Sequence, residues 1–278
     1  MRLAISNIAW DVAYDEQVAA LLERNSIDAI DLAPGKYFPD PLNTSTQDIV
    51  RVKRWWAERG IEITGMQALL FGTHGLNMFG PLESQQAMLQ HLAAVCRIGA
   101  GLGATRLVFG SPKNRDRSGL NDQQTAYQAT QFFRQLGDIA LQAGVTICLE
   151  PNPACYGANF MTDSGETARV VRLASHPAIR MQLDTGALTI NAEDPHALLK
   201  ARSDLIGHVH ISEPQLVPLG DGATEHANMG QAIEQYLPNH VASIEMLAPP
   251  NEAPMVAIER ALRVASWHYR KPRRSREQ

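Results

Sequence analysis

Four residues of metal-binding type close short apolar runs in the second half of the chain. They are Glu150 in Ile-Cys-Leu-Glu-Pro-Asn, Asp184 in Met-Gln-Leu-Asp-Thr-Gly, His210 in His208-Val-His-Ile-Ser-Glu213, and Glu245 in Ser-Ile-Glu-Met-Leu. Successive members are separated by 34, 26 and 35 residues. Side chains alternate along a strand, so Cys148 and Glu150 share one face with Leu149 on the other, and Val209 separates His208 from His210 in the same way. Taken singly, an aspartate before Thr-Gly is an ordinary turn former and a strand glutamate an ordinary surface residue. Taken together, three carboxylates turned into one closed interior would repel one another and lose hydration unless a cation sat among them. Three oxygen donors and one imidazole suit Mn²⁺, Mg²⁺ or Co²⁺ better than the nitrogen and sulfur sets of structural zinc, with Zn²⁺ still compatible. His208 reads equally as a substrate contact, as a partner to a metal ligand, or as a satisfied interior histidine.

Elements that would position this set are legible along the whole chain. Strand-like runs occur at Leu3–Ser6, Ala29–Leu32, Ile61–Leu69, Arg106–Phe109, Val145–Glu150, Arg180–Asp184, Leu205–His210 and Ser243–Met246. Between them lie stretches with one apolar helical face, such as Val18, Leu21 and Leu22, or Phe132, Leu136, Ile139, Ala140 and Ala143. Asp194-Pro195 has the form of an N-cap followed by proline in the first turn, and Gly60, Gly103 and Gly144 stand where helices should stop. Eight alternations of strand and helix predict an α/β protein, a (β/α)8 TIM barrel, as a single domain over residues 1–269. The four chemical residues then meet on the rim where the strands end. A doubly wound open sheet would carry a glycine-rich turn from strand into helix; Gly99, Gly101 and Gly103 have the opposite polarity and read as helix caps.

Composition limits the function classes. Of 278 residues, 45% are hydrophobic and 19% charged, the balance of a packed globular enzyme, and no run approaches the roughly 20 apolar residues of a membrane span. No signal-peptide core opens the chain, so a cytoplasmic location is expected. The net charge of −4 conceals a basic tail, 270–278, carrying +4 against −8 on the remainder. An acidic body argues against nucleic acid, and the tail reads as a solvated end or as packing on a neighbouring subunit of a homo-oligomer. Cys96, Cys148 and Cys155 have no paired spacing and read as reduced thiols.

With these motifs on the page, the chain resembles the xylose-isomerase-like barrels, specifically the sugar phosphate isomerase/epimerase group that includes the D-tagatose and D-psicose 3-epimerases. The resemblance runs from the first strand to Trp267 and rests on Leu-Glu150-Pro-Asn, Leu-Asp184-Thr-Gly, Gly-His-Val-His210-Ile-Ser-Glu and Ser-Ile-Glu245. It implies a divalent metal held by Glu150, Asp184, His210 and Glu245, with Glu150 and Glu245 as the acid/base pair on opposite faces of a small sugar or sugar derivative. The activity implied is isomerisation or epimerisation by proton transfer through an enediolate. Two positions depart from the 3-epimerases. Their histidine three residues after the aspartate is Ala187 here, and their arginine six residues after the ligand histidine is Leu216.

Other polar groups must then hold the substrate, and the candidates are Gln67, Lys113, Asn114, Asn152 and His208, with Trp10, Tyr37, Phe71 and Tyr156 as pocket walls. In the loop after the fourth strand, Lys113 is expected to reach an anionic substrate group, whereas Arg115 and Arg117 are expected to be solvated. Alternatives are a lyase or dehydratase using the same enolate chemistry, and a metal-dependent hydrolase of the endonuclease-IV or amidohydrolase kind, the latter suggested by His208-x-His210.

Overall fold

The computed structural model describes residues 1–270. Eight parallel strands close on one another in sequence order: β1 (Arg2–Ser6), β2 (Ala29–Leu32), β3 (Glu62–Met66), β4 (Arg106–Phe109), β5 (Thr146–Leu149), β6 (Ile179–Asp184), β7 (Ile206–Ser212) and β8 (Val241–Glu245). Closure is made by β1 on β8, with Leu3 opposite Ala242 and Ile5 opposite Ile244. The chain is therefore a (β/α)8 TIM barrel of one domain.

Nine α-helices occur among the described residues: α1 (Asp15–Arg24), α2 (Thr46–Ala57), α3 (Leu82–Leu102), α4 (Asp122–Ala143), α5 (Ser164–Ala174), α6 (Thr185–Ile190), α7 (Pro195–Arg202), α8 (His226–Tyr236) and α9 (Pro254–Tyr269). Asp194 caps α7 through a bond from the His196 amide, and Gly103 and Gly144 end α3 and α4 in the left-handed conformation at φ 89° and 73°. The other two glycines read as caps lie inside α3. A Cβ on Gly99 would press on Leu107 and Met66, and one on Gly101 would sit 2.7 Å from Ile49 Cγ2, so close helix packing explains them. β3 ends at Met66, three residues before the expected Leu69, because Ala68 turns to φ 54° and carries the chain into the rim.

The apolar core lies between the strands and the helices, where Leu3, Ile5, Ile30, Leu107, Leu149, Leu183, Val209 and Ile244 meet the helical faces. The barrel axis is polar by contrast. Register pairs Ser6 with Asp31, Gln182 with His208, Asp184 with His210, His210 with Ser243, and Ser212 with Glu245. Strand alternation thus sends the greasy residues outward and stacks titratable ones inside.

No helix among the described residues is long and apolar enough to cross a membrane, and all three cysteines are free. Of the basic tail, Arg270 donates to the Asn25 and Ser26 carbonyls beyond α1; residues 271–278 lie outside the described residues.

The loop after β7 is pinned from below. Glu213, 1% exposed, accepts from the Gly220 and Thr224 amides at 2.9 Å and pairs with His226 Nε2 at 2.9 Å, while His226 Nδ1 meets the Tyr269 hydroxyl at 2.7 Å. Burial would raise the Glu213 carboxyl, but these donors hold it down at about 2 from an ordinary 4.5. A depressed folded-state value means stability present above the unfolded value and lost as pH falls. Urea titrations from pH 7 to pH 2 should show wild type losing this contribution, roughly 1.5 to 3 kcal/mol, between about pH 4.5 and 2, while Glu213→Gln lacks it throughout. Equal pH slopes for the two proteins in that window would refute the role.

Candidate active site and metal centre

Glu150, Asp184, His210 and Glu245 each offer a ligand atom, all within 4.8 Å of one another at the C-terminal rim. β5 and β8 deliver the two glutamates, β7 delivers the histidine, and Asp184 is both the last residue of β6 and the N-cap of α6. In that double position its Oδ1 accepts from the Ala187 amide at 2.6 Å and its Oδ2 from the Ser212 hydroxyl at 2.8 Å. His210 Nδ1 stands 3.4 Å from Glu150 Oε1 and 3.3 Å from Glu245 Oε2.

The electrostatics are those of negative charge crowded out of water. Burial and then the charges of Glu245 and Glu150 push the Asp184 carboxyl well above the ordinary range. Burial opposes charge on Glu245 too, but His210 and the Gln67 amide outweigh it and hold that carboxyl low. Burial alone would lower the His210 imidazolium, yet Glu245, Asp31 and Glu150 raise it well above its usual value. Glu150 Oε1 is buried without a hydrogen-bond partner. Three carboxylates, one of them with an orphaned buried oxygen, and one imidazole nitrogen at one point fit a divalent cation.

Beneath this set lies a group that the sequence reading passed over. Asp31, fully buried in β2, accepts from His208 Nε2 at 2.6 Å and lies 3.6 Å from His210 Nε2. A Cβ on Gly65 would fall 2.5 Å from Asp31 Oδ1, and the Thr64 hydroxyl donates to that oxygen at 3.2 Å. His208 is therefore turned toward the barrel floor and Asp31, away from the rim cavities. The only signal for Asp31 in the sequence was an acid inside the run Ala-Ile-Asp-Leu.

Of the expected substrate contacts, Gln67 lies against the site, its Nε2 donating to Glu245 Oε1 at 2.5 Å. Asn152 Nδ2 donates to Glu150 Oε2 at 3.3 Å. Lys113 is exposed and lines neither rim cavity. Asn114 is buried as a loop strut, bonded to Ser111 and to the Leu76 carbonyl. Arg115, expected in solvent, is fully buried: Nη1 donates to the Glu150 carbonyl at 2.8 Å and Nη2 to Asn152 Oδ1 at 2.6 Å. The single turn at Pro112–Arg115 leaves Lys113 exposed and turns both Asn114 and Arg115 inward. Arg117, half-buried, bonds Asp122.

Two cavities flank the carboxylates. The larger, about 540 Å³, is walled by Ile8, Leu69, Leu70, Phe71, Val108 and Phe109 and reaches Lys36, Gln67, Glu150 and Glu245. The other, about 380 Å³, is bounded by Asn152, Tyr156, Asp184, Ala187, Gln215 and Leu216. Phe71 and Tyr156 are walls as expected, whereas Trp10 and Tyr37 bond Asp15 from behind the loops. Gly110 is required at this rim because a Cβ there would lie 2.0 Å from Glu150 Oε2. Gly110→Ala is expected to displace that carboxylate and weaken metal affinity roughly tenfold or more, measured by competition with a chromophoric chelator. Unchanged affinity would show that Glu150 does not need this geometry.

A closed parallel barrel with a carboxylate and imidazole cluster at its C-terminal rim defines a class of protein, and the comparisons place the chain within it. Residues 19–265 match the model of the xylose isomerase-like TIM barrel family, and the chain belongs to that family. No curated protein matches it in sequence. Solved structures similar in fold include D-psicose 3-epimerase with D-tagatose from Clostridium cellulolyticum H10, at 16% identity and TM-score 0.81 over 97% of this chain and 99% of that one. An L-ribulose 3-epimerase aligns at 16% identity and TM-score 0.79, over 96% of this chain and 94% of that one. An IolI protein with a binding zinc atom aligns at 16% identity and TM-score 0.75, over 97% and 98%.

Proposed function

We propose that the protein is a divalent-metal-dependent isomerase or epimerase acting on a small sugar or sugar derivative. The observation that carries this reading is the convergence of Glu150, Asp184, His210 and Glu245 within 4.8 Å beside two substrate-sized cavities. Those four residues would hold Mn²⁺, Mg²⁺ or Co²⁺, with Zn²⁺ compatible, and the ion would supply positive charge against the negative charge that develops on substrate oxygens as a carbon-bound proton is lost. The residues of the chain do the rest. Glu150, directly after β5, and Glu245, the last residue of β8, act as proton acceptor and donor on the two faces of an enediolate. Gln67 fixes Glu245 and Asn152 fixes Glu150, each by an amide N–H on a carboxylate oxygen. Arg115 holds both the Glu150 main chain and Asn152, so it positions that glutamate from behind without entering the cavity. Ile8, Leu69, Leu70 and Val108 give the cavity an apolar side against which the carbon skeleton of a substrate can lie.

Incubating the Mn²⁺-loaded protein with ketoses and their derivatives in D₂O, and locating deuterium by NMR, tests the reading. Incorporation at the carbon beside the carbonyl, lost after chelation, is the expected result. Incorporation that persists in a protein carrying both Glu150→Gln and Glu245→Gln would overturn it.

A further inference from the structure

With Lys113 and Arg115 directed elsewhere, Lys36 is the one lysine or arginine among the described residues that lines either rim cavity. It follows β2 in the turn Pro34–Lys36, half-buried, in a wall otherwise dominated by Ile8, Leu69, Leu70 and Phe71. Its ammonium donates to the Asn7 carbonyl at 2.6 Å and to the Trp10 carbonyl, which ties it to the loop after β1. A lysine ammonium has three donors, and the third has no partner among the described residues. The nearest carboxylates, Asp11 and Asp15, form no ion pair with it: Asp15 accepts from Trp10 and Tyr37, and Asp11 from the Ala13 amide. Burial lowers the Lys36 ammonium somewhat, and Asp11 and Asp15 oppose that lowering.

Charge balance decides what such a cation is for. Three carboxylates and a neutral imidazole around a divalent ion leave one negative charge, which would repel an anionic substrate. Lys36 places a positive charge on the wall of the same cavity and keeps a donor free. One ammonium matches one carboxylate; a phosphate dianion wants more donors than this wall offers.

We propose that Lys36 is the specificity residue for a carboxylate-bearing polyhydroxy ketone, a sugar acid whose carboxylate bonds the Lys36 ammonium while its hydroxyketone end lies at Glu150 and Glu245. The inference rests on the functional reading above and deepens it.

D-fructuronate, D-fructose and D-fructose 6-phosphate are the probes, titrated calorimetrically into Mn²⁺-loaded wild type, Lys36→Gln and Lys36→Arg, with deuterium exchange measured alongside. Fructuronate should bind wild type most tightly, Lys36→Gln should weaken it roughly tenfold to a hundredfold, and Lys36→Arg should restore much of the loss. Fructose binding should not change among the three proteins, whereas a lysine that merely braced the loops would alter it too. Fructuronate binding no tighter than fructose, a preference for the phosphate ester, or equal loss for charged and neutral sugars would each overturn the proposal. Selective, Lys36-dependent binding without any exchange would sustain it while defeating the isomerase reading; exchange confined to neutral ketoses would do the reverse.

Discussion

Asp184→Ala is expected to abolish stoichiometric metal retention. Asp184 is buried, its two oxygens are already aimed by the Ala187 amide and the Ser212 hydroxyl, and its charge is opposed by Glu150 and Glu245. A ligand so pre-oriented has little entropy left to lose, and its removal leaves a gap that only water can fill. Because the four donors assemble only in the folded chain, an ion held by them would bind the native state alone and would stabilise it by about 2.7 kcal/mol at a hundred times its dissociation constant. For a chain of this size that corresponds to roughly 5 to 10 °C in Tm. Chelation should therefore lower the wild-type Tm by about that amount and leave Asp184→Ala unmoved. Elemental analysis of protein purified without chelator gives the direct count. A full equivalent retained by the variant would remove Asp184 from the set. Protons compete with the ion for a carboxyl held above its ordinary range, so affinity should also fall as pH is lowered.

Glu150→Gln and Glu245→Gln should each reduce turnover by roughly a thousandfold or more. Both substitutions keep shape and hydrogen-bonding reach but remove a group that can accept a proton, and each also takes one charge from the metal set. The Gln67 amide can still donate to residue 245, and Arg115 to the main chain at 150, so local structure should persist. Measuring the Tm of each chelated variant separates folding from chemistry. Solvent-tritium wash-in to a substrate carbon should fail in at least one of them. Wild-type kcat/KM in either variant would reject the acid/base pair.

The strands and the four rim residues could be read without coordinates because two periodicities carry them. An apolar run that closes on Glu, Asp or His is visible whatever surrounds it, and alternation assigns each neighbour a face, as it does for Leu149 beside Glu150. β2 and β4 were legible to the residue for the same reason. Pairings among loops were not. Lys113 and Arg115 are two residues apart and of one charge sign, yet one is exposed and the other fully buried against Glu150, which the path of a single turn determines.

By itself, then, the sequence determined the alternation of elements, the closed parallel barrel they require, and the identity of the residues at four strand ends, because these depend on local periodicity and residue type. The tertiary structure alone decided that Asp31 stands beneath His210, that Gly65 and Gly110 leave room for carboxylates, and that Lys36 rather than Lys113 faces the cavity. Such contacts join residues from strands and loops far apart in the chain. Their existence depends on the register and tilt of the closed sheet, which no local pattern encodes.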